Sequence, residues 1–328
     1  MASKLRITPA LALLLAASLP ATVVRADEPA PTPPAAAPSA PAASKITFTI
    51  NDAGAEPRAE RRYAPTVGDV SHFELVVNTT QQVQTAQGAM PEMSMPAITF
   101  VSGSTIASAD GGVIASDITF ESISVSEHQM GPMLAQMLKP MEGKGGTMKL
   151  SDRGDDLGFA LNADTQALGP GAAMADTIVN SLRGVLAHLP TEAIGAGAVW
   201  TTVEERDEQG VMITQTIKHT LESIDGDAYV ITLALTQSAG EQDINSPNMV
   251  PGASMRLKSL SGEGAATVNG SLTSIVPTTV TLNLKTSMDV TIKQGETENA
   301  MTQTISTSAV GRSVEAPAAP ATDAPATP

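Results

Sequence analysis

The sequence predicts a mainly β (α+β) protein, a curved antiparallel sheet or half-barrel with two helices packed on it. Three observations predict it. Apolar residues recur with a period of two through most of residues 45–313, the pattern of strands with one buried and one wet face. Short Asp/Gly turns separate these runs, so successive strands are joined tightly and antiparallel. Only two stretches follow the helical period instead.

Taken in order, "KITFTI" aligns Ile46, Phe48 and Ile50, and "SHFELVV" aligns Phe73, Leu75 and Val77. "VIASDITF" brings Ile114, Ile118 and Phe120 to one side, and "LGFALN" does the same for Leu157, Phe159 and Leu161. "YVITLAL" aligns Tyr229, Ile231, Leu233 and Leu235. The longest run, "VTLNLKTSMDVTI", aligns Val280, Leu282, Leu284, Met288, Val290 and Ile292 opposite Thr, Asn, Lys and Asp. Turns are expected at "ADGG" (109–112), "DRGD" (152–155), "DEQG" (207–210) and "DGD" (225–227). The last two bracket a meander from Ala198 to Leu235.

The first helix falls in "GPMLAQMLKPM", with Pro132 in the first turn and Pro140 as a stop. Met133, Leu134, Met137 and Leu138 are expected to share its apolar face. The second falls in "AAMADTIVNSLRGVLAHLP", where Met174, Ile178, Leu182, Val185, Leu186 and Leu189 keep the helical period before Pro190.

The chain opens with Lys4 and Arg6, an apolar run at 10–17, and Val24-Arg25-Ala26. That is the layout of a secretory signal peptide over residues 1–26, with cleavage after Ala26. The apolar run is too short to span a bilayer, and no later stretch reaches the ~20 residues a spanning helix needs. Residues 27–44 and 314–328 are Pro/Ala-rich and should be disordered linkers, since such composition cannot offset chain entropy by burial. Between them lies a mainly-β domain, read either as one unit or as two halves of about 45–170 and 171–313. "PTVGDVSHFEL" and "PTEAIGAGAVWTTV" echo each other faintly; a true repeat and a chance likeness between hairpins both explain that.

The expected location is secreted or periplasmic. There is no cysteine, so a lipid-anchored lipoprotein is excluded and the fold must rest on packing without disulfides. Removing Lys4, Arg6 and Arg25, with no acid lost, takes the net charge from −15 to −18. Such a surface repels phosphate backbones, and nucleic acid is not an expected partner.

No nucleophile elbow, zinc-protease motif, P-loop or dinucleotide fingerprint occurs. His72, His128, His188 and His219 are scattered without a second histidine at ligand spacing, and structural roles are expected for all four. The acids of "SDRGDDLG" lack the alternate spacing of a calcium loop and read as a polar turn. No catalytic residue, cofactor or metal is assigned.

The methionines are the remaining chemical feature. "AMPEMSMPAITF" places Met90, Met93 and Met95 between prolines. Met93 and Met95 are expected to face inward beside Ile98 or Phe100, as core filling or as the wall of an apolar cavity. Cu(I) binding through M-x-x-M-x-M is the minor alternative, because thioethers select soft metals. Strict alternation would put Met90 on the opposite face.

The segment "LAHLPTEAIGAGAVWTTVEE", followed by "IDGDAYVITL" and preceded by "PMLAQMLKPMEGKGGTMKLSDRG", resembles a family of secreted bacterial proteins of unknown function. More distantly it is similar to periplasmic lipoprotein carriers of the LolA and LppX kind. That resemblance implies a half-barrel closed by helices over an apolar cavity, and a lipid-type ligand. It supplies no catalytic residue. The functional expectation is a non-enzymatic extracytoplasmic protein holding an apolar ligand in a concave sheet, with Met93, Met95, Met133, Met137, Leu134 and Leu138 lining it. The alternative is a structural or interaction protein of the envelope with a filled core.

Overall fold

The computed structural model describes residues 45–168, 187–208, 211–244, 253–295 and 297–316. The signal peptide, the first Pro/Ala segment, the tail beyond residue 316 and nearly all of the second helical stretch lie outside the described residues. Val314, expected to open the disordered tail, instead ends a strand and pairs with His72. Of that second helix only its end is described, where Ala187–Pro190 is irregular.

Among the described residues fifteen strands form one antiparallel sheet. They are β1 (Lys45–Asp52), β2 (Val70–Thr85), β3 (Gly88–Ala89), β4 (Met93–Ser94), β5 (Ile98–Asp110), β6 (Val113–Val125), β7 (Gly145–Ser151) and β8 (Asp156–Leu161). There follow β9 (Val199–Glu208), β10 (Val211–Asp225), β11 (Ala228–Ala239), β12 (Gln242–Ile244), β13 (Ala253–Ser271), β14 (Thr279–Gln294) and β15 (Thr297–Val314). The path runs β1-β9-β10-β11-β13-β14-β15-β2-β5-β6-β7-β8, with β3 and β4 on the free stretch of β2 and β12 on β13. The sheet does not close; β1 and β8 are its edges. Two helices are described, α1 (Gly131–Leu138) and a single turn α2 (Ala163–Gln166).

The fold is therefore the mainly-β antiparallel architecture with helices that alternation predicts. The meander is β9-β10-β11. In the β5–β6 turn Gly111 and Gly112 take φ of 58° and 76°, and Gly226 in the β10–β11 turn takes 59°. These are left-handed conformations that side chains resist.

Two local expectations are corrected. Leu157 does not join Phe159 and Leu161 inside; it is 51% exposed. Lys149 pairs with Gly158 but Leu150 pairs with Asp156, so Leu157 is the extra residue of a bulge and is turned outward. On α1, Leu134 and Leu138 are buried with Gly131, but Met133 is 63% exposed and Met137 only partly covered. At 100° per residue, positions 131, 134 and 138 line the stripe toward β6, and Met133 lies off it.

The sheet is curled hard. β9 is second in the path and β7 eleventh, so a flat sheet would separate them by roughly 43 Å. Instead the indole N–H of Trp200 on β9 donates to the His188 carbonyl at 2.8 Å. His188 Nδ1 lies 3.3 Å from Asp155 Oδ1 beside the β7–β8 turn, and the Leu189 amide donates to Arg153 O in that turn at 2.8 Å. The Arg153 guanidinium also donates to the Pro190 carbonyl. The crossing segment before β2 adds a second tie. The Tyr63 amide donates to Asp152 O at 2.7 Å, and its hydroxyl stands 3.1 Å from that of Tyr229 on β11. Burial raises the pKa of both phenols, which stay neutral here.

His219 sits inside this clasp. Its ring stacks on Trp200 with centroids 5.0 Å apart and 3° between planes. It is fully buried, and desolvation, aided by the nearby His188, lowers its pKa to about 3. The ring is neutral, and the Thr202 hydroxyl lies 3.0 Å from Nε2.

One apolar cluster gathers residues from β2, β5–β11 and β13–β15, together with Leu138 and Met141. A second, smaller one joins Val211, Ile213, Ile244, Leu257, Leu260, Met288, Val290 and Ile305 toward the other end of the long strands. Both lie on the same, inner face. The outer face is hydroxyl-rich and charged: on β14 it shows Thr281, Asn283, Lys285 and Asp289. The Asp289 carboxyl accepts from the Thr302 and Ser259 hydroxyls, which hold its pKa below the usual range. No helix among the described residues is long and apolar enough to cross a membrane.

Candidate functional site

Between the two apolar clusters the inner face changes character, and cross-strand register shows how. Directly opposite residues in an antiparallel ladder project to the same side. One such row reads Gln215, Gln237, Gly262, Thr286, Ile305, Gln81 and Met93 across β10, β11, β13, β14, β15, β2 and β4. The next row toward the larger cluster reads Ile217, Leu235, Gly264, Leu284, Thr307 and Thr79. The Met95 amide donates to Thr79 O at 2.9 Å and extends that row by one.

The first row is a buried polar belt. Gln215, Gln237, Thr286 and Gln81 are all buried, as is Gln303, the next inward residue after Ile305 on β15. At one end Gln215 Oε1 accepts from Gln237 Nε2 and from Arg206 Nη2, each at 2.8 Å. At the other end Gln81 Nε2, Gln303 Nε2 and Thr286 Oγ1 are buried with no hydrogen-bond partner among the described residues. Leaving such a group unpaired costs about 1–3 kcal/mol, and here three such groups lie on adjacent strands.

The second row is a half-open trough. Leu235, Leu284, Thr307 and Thr79 are only partly buried, although they lie between two packed clusters. Gly264 forms the floor. A Cβ there would meet Asn283 O at 2.9 Å and Leu284 Cδ1 at 3.1 Å, so Gly264 contributes no side chain and that of Leu284 lies close against it. Leu282, Val77 and Ile98, also partly buried, form the adjoining wall. From β11 to β4 the row crosses five strand spacings, on the order of 24 Å.

The methionines close the far end of both rows. Met93 faces Gln81 and Met95 faces Thr79, so both stand on the inner side, as expected. Met93 is nevertheless 43% exposed, and Met95 is only partly buried. Core filling beside Phe100 is therefore corrected for Met93: β4 is a two-residue strand at the rim, where nothing covers the thioether. Met90 is corrected too. Its amide bonds Val83 O at 2.8 Å, so it stands opposite Val83, on the same side as Gln81. Pro91 and Glu92 insert one extra residue and reset the alternation. Leu134 and Leu138 join the core on β6, away from the trough, and Met133 points outward.

Sequence reading missed the glutamines. Their even spacing with buried neighbours was present (Gln215 continues Val211 and Ile213), but glutamine between threonines reads as the wet side of a strand. A separate cleft of about 230 Å³ lies between Pro65, Ser71, Ser104, Ile106 and residues 273–276. It is small beside the ~300–1,000 Å³ of sites that enclose drug-sized ligands.

No family model matches this chain, and no curated protein matches it. Among solved structures it is similar to OmpT, an outer membrane protein of Vibrio cholerae, at 6% identity over 76% of this chain and 100% of that one, with a TM-score of 0.19. An outer membrane channel from Pseudomonas putida F1 matches at 8% identity over 77% and 98%, TM-score 0.19. OpdL of Pseudomonas aeruginosa matches at 7% over 75% and 99%, TM-score 0.17. At these TM-scores the likeness carries neither fold nor function to this chain. The outer face described above is also polar, the reverse of the apolar band by which a transmembrane barrel meets lipid.

Proposed function

We propose that this is a non-enzymatic extracytoplasmic protein that holds an apolar, lipid-type ligand along the inner trough. The observation that supports it is the half-buried row Leu235–Gly264–Leu284–Thr307–Thr79, open between two packed clusters and floored by glycine. Apolar side chains left partly wet on the inner face gain from a partner that removes them from water, at about 25 cal/mol per Å². The exposed thioethers of Met90 and Met93 suit a flexible entrance. Export rests on the signal-peptide layout of residues 1–26. The resemblance to lipoprotein carriers implies the same ligand class.

The test is binding of the apolar dye N-phenyl-1-naphthylamine to the mature protein, before and after Thr307→Phe. Saturable enhancement of dye fluorescence, lost in the variant with folding intact, is expected. Absence of saturable binding would favour the second reading, an envelope interaction protein. The size of the larger packed cluster, which reaches nearly every long strand, speaks for that one.

A further inference from the structure

We infer that the belt end formed by Gln81, Gln303 and Thr286 is a polar subsite of the trough, and that the ligand is a neutral acyl ester or amide whose carbonyl it receives. The inference rests on the trough reading and adds the chemistry of the ligand's head.

Gln81 and Thr286 both pair with Ile305, from β2 and β14 on either side of β15, and Gln303 lies one inward step along β15. The three therefore converge on one patch. Each presents a buried polar atom without a partner among the described residues, two of them amide N–H donors and one a hydroxyl that donates or accepts. The trough runs one step farther along the same strands: Thr79 follows Gln81 inward on β2, and Thr307 follows Ile305 on β15. Gln81 is covered by protein, so an acceptor in the trough meets it by rotation of its long side chain. Gln303, two inward steps from Thr307 behind buried Ile305, is reached only by a head group that passes beyond the trough row. Gly262 helps at the other flank: it offers no Cβ beside Thr286 Oγ1, which such an atom would approach to 3.1 Å.

The donors are uncharged, which matches a carbonyl better than a carboxylate. The chain's net charge of −15 also opposes an anion. A pure hydrocarbon would fill the trough and leave the amides unpaired. Preference for an ester over an alkane of equal carbon number is thus the signature of the subsite.

The experiment displaces N-phenyl-1-naphthylamine from the mature protein with methyl dodecanoate and with tridecane. Wild type should prefer the ester by about fivefold, the scale of one or two neutral hydrogen bonds. Gln81→Leu/Gln303→Leu should bind tridecane at least as well and lose the preference; Gln81→Met/Gln303→Met, closer in shape, should behave alike. Equal displacement by ester and alkane in wild type, or a preference that survives in both double variants, would overturn the subsite and leave the trough standing. Failure of the dye and of both competitors to bind would remove the trough itself, and the subsite with it.

Discussion

Gln81 and Met93 stand directly opposite each other in the β2–β4 ladder, yet the amide is 4% exposed and the thioether 43%. The row changes from sealed to open within one strand spacing. A polar group lies on the sealed side and an apolar one on the open side, the reverse of what burial alone selects. That inversion is what the proposed trough requires at its rim.

The unpaired amides lead to a prediction about stability without ligand. Gln81→Leu and Gln303→Leu each remove a buried orphan donor, so stability should be unchanged or rise by up to about 1 kcal/mol. Gln237→Leu instead deletes a made bond to Gln215 and should cost about 1 kcal/mol. Urea unfolding of the three variants checks this. A loss above about 2 kcal/mol at Gln81 or Gln303 would show that their amides are paired in solution.

The methionine rim is tested separately. Met93→Leu removes a thioether at an exposed position and should change stability by no more than about 0.5 kcal/mol. Met95→Leu, partly buried, should cost under about 1.5 kcal/mol. A Cu(I) competition titration should show no tight stoichiometric site. Tight binding in wild type that vanishes in the double leucine variant would assign the shared face of Met90, Met93 and Met95 to copper instead.

The clasp predicts a pH dependence. His219 has a folded-state pKa of about 3, below its unfolded value near 6.5, so the unfolded chain binds the extra proton between these limits. Its contribution is fully present above pH 6.5 and is lost as pH falls, by up to about 1.4 kcal/mol per pH unit. Asp155, whose pKa is lowered chiefly by its bond to His188, acts in the same direction at lower pH. Urea unfolding at pH 7 and pH 5 should show weaker folding at pH 5, with the difference reduced in His219→Leu. An undiminished difference in that variant would place the acid sensitivity elsewhere.

Much of the fold was legible because period-two alternation is local. Val280, Leu282, Leu284, Met288, Val290 and Ile292 read as one face, and they are one face. Departures arose where one residue is added: Leu157 at its bulge, and Pro91-Glu92 before Met93. A single insertion flips every later side chain, and nothing in the neighbouring residues announces it. The site was less legible, since the belt and trough exist only across strands. Gln215 and Gln81 lie far apart in sequence, and the ladder order that joins them through β11, β13, β14 and β15 is a property of the assembled sheet. The curl depended on Trp200 and His188 meeting Asp155, pairings that no periodicity encodes.

The most direct test of the trough uses the absence of cysteine, which makes single-site labelling clean. A nitroxide on Met93→Cys, at the inner rim of the trough, should quench bound N-phenyl-1-naphthylamine strongly, whereas one on Thr281→Cys, on the outer face of β14, should leave it bright. Equal quenching from both positions, or stronger quenching from Thr281→Cys, would contradict ligand binding on the inner face.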